Sequence, residues 1–101
     1  MSRLEQLRKL AALAPNDPMT HYGIGIECLG LGQWDDAVAA FSDALRADEK
    51  YSAAYYHKAR AEIALGRQAD AGATLTQGMA TAHAQGDWKT ENEMQGLLET
   101  I

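Results

Sequence analysis

The side chains able to do chemistry are few and poorly placed for it. His21, His57, His83 and the single cysteine, Cys28, are the candidates for metal binding or nucleophilic catalysis. Metal sites recur at short spacings such as HxxxH, HExxH or CxxC, and none of these occurs in the chain. His21 and Cys28 share a helix face, but seven residues of helical rise separate them by about 10 Å, too far for a base to reach the thiol proton. Cys28 therefore reads as a small buried hydrophobe. The acidic residues Asp35, Asp36, Asp48, Glu49, Glu91 and Glu93 fall at helix starts, in loops or on charged faces, where solvation accounts for them. Ser2, Ser42 and Ser52 lie in no strained-turn motif. The glycine-rich run Gly23-Ile24-Gly25-Ile26-Glu27-Cys28-Leu29-Gly30-Leu31-Gly32 has neither the preceding strand nor the Lys-Ser/Thr of a phosphate loop. No catalytic constellation, metal site or cofactor site emerges, and the chain reads as non-enzymatic.

The elements that would carry these residues are helices, and they repeat. Under a shift of thirty-four residues Tyr22 falls on Tyr56, Gly25 on Ala59, Leu31 on Leu65, Gly32 on Gly66 and Ala37 on Ala71. Phe41 then falls on Leu75, Ala44 on Gly78 and Leu45 on Met79. Small matches small and large matches large, as a packed repeat requires. The units are 18–51 and 52–85, each a pair of antiparallel helices. Asp17 is placed to cap the first, with Pro18 at its first position, where no backbone donor is lost. Gly32 and Gly66 supply left-handed stops. The second helices start near Trp34 and Gln68, and Ala37, Val38, Phe41, Ala44 and Leu45 follow the helical period.

The flanks, 1–17 and 86–101, complete one domain. Leu4, Leu7, Leu10, Ala11 and Leu13 form a stripe on a first helix. Gly86 breaks the chain, and Asp87 is placed to cap a last helix with Trp88, Met94, Leu97, Leu98 and Ile101 on its inner face. A repeat buries its apolar face only against a neighbour, so a two-repeat array needs both flanks. Six helices are expected.

This pattern resembles the tetratricopeptide-repeat (TPR) family. Its repeat has a small residue in the first helix, a glycine between helices, an aromatic after it, and then Ala, a large residue and Ala in the second helix. Gly25, Gly32, Trp34, Ala37, Phe41 and Ala44 match in the first unit. In the second, Tyr55, Ala59, Gly66, Ala71 and Leu75 match, while Gln68 and Gly78 depart from the expected aromatic and Ala. Pro15 matches the family's terminal proline; Glu49 and His83 do not. The resemblance implies a right-handed α-α superhelix and a non-catalytic module that holds another polypeptide on its concave face.

Carried across residue by residue, the concave positions are Met19, Tyr22, Ile26, Leu29 and Gly30 in the first unit. In the second they are Ala53, Tyr56, His57, Arg60, Ile63 and Ala64. Helical spacing groups 22, 26, 29 and 56, 60, 63 independently. These side chains are expected to be spare of packing, with Ile24, Gly25, Cys28 and Leu31 joining the helices of the first unit, Tyr22 and Tyr56 stacked, and His57 solvated. Exposed tyrosines, aliphatics and an arginine have the composition of a recognition surface. Family members that clamp acidic chaperone tails use Lys and Asn at positions held here by Tyr22, Ile26 and Tyr56. The expected partner is thus an apolar or helical protein segment. The alternative is a homodimer through the same face or the capping helix.

The whole chain agrees. It has 101 residues, 47% of them apolar, and a net charge of −5 that disfavours a phosphate backbone. Its basic residues Arg3, Arg8 and Lys9 alternate with Leu, so no nucleic-acid patch forms. No unbroken apolar run suggests a signal peptide or membrane span, and the lone cysteine favours a reducing, cytoplasmic setting.

Overall fold

The computed structural model describes all 101 residues. It contains six helices: α1 (Arg3–Leu13), α2 (Pro18–Gly30), α3 (Trp34–Ala47), α4 (Ser52–Ala64), α5 (Gln68–Ala84) and α6 (Trp88–Leu98). Local chemistry sets their ends. The Asp17 carboxylate accepts from Met19 N at 3.0 Å and from Thr20 Oγ1 at 2.9 Å. Asp87 caps α6 by accepting from Thr90 N at 3.2 Å. Gly32, Gly66 and Gly86 alone have positive φ, of 72°, 77° and 71°. Each reverses the chain so that the next amide returns to a helix carbonyl: Gln33 N to Cys28 O, Arg67 N to Glu62 O and Asp87 N to Ala82 O, all at 2.9 Å.

Each helix packs on the next, and α2 also touches α4, which in turn touches α6. No such contact joins α3 to α5. The inner helices close on one another while the outer ones splay, so the right-handed solenoid curves with α2, α4 and α6 along its concave side.

The core lies in two clusters. Leu4, Ile24, Cys28, Ala37, Ala40, Phe41, Ala44, Ala54 and Ala61 form the first. Tyr55, Ala59, Ala71, Leu75, Ala82 and Met94 form the second. Phe41 is fully buried against Gly25, where a Cβ would lie 2.5 Å from its ring. The repeat also reappears in a polar contact. His21 Nε2 lies 2.6 Å from Pro15 O, and one register later Tyr55 donates to Glu49 O at 3.0 Å. Position 28 of the first unit becomes Glu62 in the second, buried and accepting from Thr74 Oγ1 at 2.7 Å.

Two packing expectations need correction, and the departure at Gly78 finds its reason. Leu31 caps α2 and is 60% exposed, so it does not join α2 to α3. Leu10, Leu13, Trp88 and Ile101 point outward, leaving Leu4, Leu7 and Ala11 to seat α1, and Met94, Leu97 and Leu98 to seat α6. Gly78 does not stand idly where Ala is usual. A Cβ there would lie 2.5 Å from Tyr55 Cβ and 2.6 Å from Met94 Sδ.

Candidate functional site

The concave face is built by α2 and α4, with α6 as its far wall. Pro18 and Asp17 start α2, and Tyr51 precedes α4 by one residue, so the two helices run in register with thirty-four residues between equivalent positions. Met19 is 71% exposed and Arg60 is exposed. Tyr22, Ile26, Leu29, Tyr56, His57 and Ile63 are half-buried. Tyr22, Ile26 and Leu29 rest on the first core cluster, and Tyr56 and Ile63 on the second. They are therefore not spare of packing: each gives one side to the core and the other to the groove.

An aromatic network runs along this surface. Tyr22 stacks on Tyr51 with centroids 4.8 Å apart, rather than on Tyr56 as expected. His57 stands between the two tyrosines of equivalent position, 5.8 Å from Tyr22 and 5.1 Å from Tyr56, both edge-on. It also stacks over Phe41 at 5.9 Å, and Tyr22 meets the same Phe41 ring edge-on at 5.7 Å. His57 is thus a packed residue rather than a solvated one. Burial and then the charge of Arg60 push its pKa down to about 4. Neutral at pH 7, its Nδ1 faces Arg60 NH1 at 3.2 Å and can accept from it. Burial raises the Tyr22 hydroxyl, helped by Tyr51 and by Glu93 of α6. Burial likewise raises Tyr51, followed by the charges of Asp17 and Asp48.

Tyr51 was not among the residues picked out by the repeat. The register places it on Asp17, a capping position, yet its side chain makes no capping bond. A tyrosine where an Asp is useful is the sequence signal that this side chain serves another purpose. Trp34 fills the repeat's aromatic position and also borders the groove beside Ile26, Leu29, Gly30, His57 and Arg60.

The arrangement has no nucleophile paired with a base. Cys28 is fully buried, and burial pushes its thiol up, away from thiolate. No group of three His, Cys, Asp or Glu residues is positioned to hold a metal ion. No helix is long and apolar enough to cross a membrane.

A curved stack of helix pairs with an aromatic inner face and positive-φ glycines between helices is a helical-repeat protein. The sequence profile of the tetratricopeptide repeat matches residues 29–90, and the chain belongs to that family. It is 31% identical over 98 residues, 97% of its length and 93% of the relative's, to a TPR repeat-containing protein of Pseudomonas aeruginosa. A tetratricopeptide-repeat domain protein from Salinibacter ruber, solved in solution, superposes with a TM-score of 0.77 at 31% identity, covering 85% of this chain and 87% of that one. The TPR2B domain of yeast Sti1 in its pHsp70 complex superposes at 0.90 over 95% of this chain and 77% of that chain, with 22% identity, a likeness of fold alone. The family is a non-catalytic fold whose domains generally mediate protein–protein interaction.

Proposed function

We propose that this protein holds a partner polypeptide on its concave face, with Met19, Tyr22, Ile26, Leu29, Tyr56, His57, Arg60 and Ile63 as the contact residues. The observation that carries the reading is the half-burial of six of these on two helices in register. Aromatic and aliphatic side chains held rigid on one side and open on the other lose little entropy on binding, which is what makes good anchors. The functional unit is a single domain of two repeats, 18–51 and 52–85, flanked by capping segments 1–17 and 86–101, working in the cytoplasm. The partner is an apolar or helical segment. Tyr22, Ile26 and Tyr56 stand where family members that clamp acidic chaperone tails use Lys and Asn, so the Hsp70 ligand of the yeast neighbour is not carried over.

The test is selection from a displayed random-peptide library. Peptides with apolar residues at helical spacing, lost on Met19→Asp, support the reading; Met19 is exposed enough that this change leaves the fold intact. Peptides indifferent to Met19→Asp and to Tyr56→Ala would refute it. A second reading is favoured by the 57% exposure of Trp88 on the capping helix: a homodimer through that helix or the apolar face. Light scattering across a dilution series separates the two, since a dimer that survives dilution and dissociates on Tyr22→Ala with Tyr56→Ala would put the self-contact on the concave side.

A further inference from the structure

We infer that the end of the groove beside Gly30 is an anchor pocket for one large apolar side chain of the partner that carries a carboxylate next to it. The inference deepens the concave-face reading and rests on it. Ile26, Leu29, Gly30, Trp34, His57 and Arg60 line an open cleft of about 340 Å³ where α2 and α4 meet the start of α3. That is at the lower end of the range of about 300–1,000 Å³ for ligand pockets and ample for one large side chain.

Gly30 is the first clue. A helical glycine weakens its helix and persists where something else requires it. Gly25 and Gly78 make room for rings and sulfur, Gly32, Gly66 and Gly86 take a positive φ, and Gly23 lies against Leu7. A Cβ at Gly30 would meet nothing within 4 Å, and in the second repeat the same position is Ala64. Gly72 and Gly96 are equally open but border no cleft. At Gly30 alone, an open Cβ position coincides with the wall of an apolar hollow.

Charge is the second clue. Arg60 makes no ion pair anywhere in the chain, and no carboxylate lines the cleft. Its hydrogen-bond partner is His57, which is neutral at pH 7 and balances none of its charge. An apolar hollow rimmed by one uncompensated guanidinium complements a large apolar side chain with an adjacent anion.

The probe is N-acetyl-L-phenylalanine, titrated into the ¹⁵N-labelled protein and followed by NMR. Shifts are expected at the Gly30 amide, the Trp34 indole N–H and the Arg60 side chain. N-acetyl-L-phenylalaninamide, which lacks the carboxylate, should bind roughly three- to fivefold more weakly, and Arg60→Gln should abolish that difference. Gly30→Leu fills the hollow from within; it should melt no lower than wild type and lose the shifts. The inference is overturned if the probe moves no resonance at its solubility limit, or binds Gly30→Leu as well as wild type. Shifts confined to Tyr22 and Tyr56 and unaffected by Gly30→Leu overturn the pocket while leaving the concave face standing. A library-selected peptide that maps to α3 and α5 brings down both.

Discussion

Gly25 and Gly78 occupy non-equivalent positions of the repeat, and each makes room for a different aromatic. Gly25 admits the Phe41 ring. Its counterpart Ala59 faces the smaller Leu75, so a methyl fits there. Gly78 admits Tyr55 and Met94, while its counterpart Ala44 buries its methyl in the first core cluster. The expectation from propensity alone is that Gly78→Ala stabilises, because Ala is the better helix former by about 1 kcal/mol. The contact with Tyr55 Cβ reverses the sign, since the tyrosine's own Cβ cannot swing away. Gly78→Ala should lower stability by about 1–3 kcal/mol, while Gly72→Ala, open on all sides, should raise it by about 0.5–1 kcal/mol. Thermal melts of the two variants check this; shifts in the same direction would contradict it. Thr74→Val should cost about 1–3 kcal/mol by leaving the buried Glu62 carboxylate without its hydroxyl donor, read from urea midpoints against wild type.

At the scale of the element, α4 carries a group, His57, whose titration is linked to folding. The folded pKa of His57, about 4, lies below its unfolded value. Between the two, the unfolded chain binds a proton that the folded chain refuses, so the stability tied to His57 is complete above about pH 6.5 and is lost as pH falls toward 4. Allowing for its half-exposure, the loss is roughly 1–2 kcal/mol. Unfolded in urea at pH 7 and pH 4.5, wild type should lose more stability between the two pH values than His57→Gln does, by about that amount; equal losses would show that His57 titrates alike in the folded and unfolded chain. The capping helix α6 depends on Met94, fully buried against Gly78, and on Asp87, which accepts from Ser52 Oγ at 2.8 Å. Met94→Ala should cost about 2–5 kcal/mol and release α6 first, seen as early loss of amide protection from Trp88 to Leu98.

At the scale of the whole molecule, the architecture was legible because it is repetitive. A thirty-four-residue shift, glycine stops and an Asp-Pro start are local signals, and the six helices follow them closely. Less legible was everything that depends on which two side chains meet. The shift aligns Tyr22 with Tyr56, but equivalence in sequence is not contact in space. Tyr51, one residue outside α4, reaches Tyr22 first, and His57 fills the gap between the equivalent pair. Leu31 looked internal by period, yet it follows the end of α2, where the chain turns at Gly32 and the helical face no longer applies. The resemblance supplied the concave positions as candidates. Their half-buried state was not legible, because periodicity assigns a face and cannot say how deeply a side chain sinks between two helices.

A partner held in the concave groove must leave its mark on that face. The most direct test is to titrate a library-selected peptide into the ¹⁵N-labelled protein and map every perturbed amide. Perturbations should centre on Tyr22, Ile26, Leu29, Tyr56, His57 and Ile63, with the outer faces of α3 and α5 silent. Perturbations centred on α3 and α5, with the groove silent, would contradict the concave-face reading.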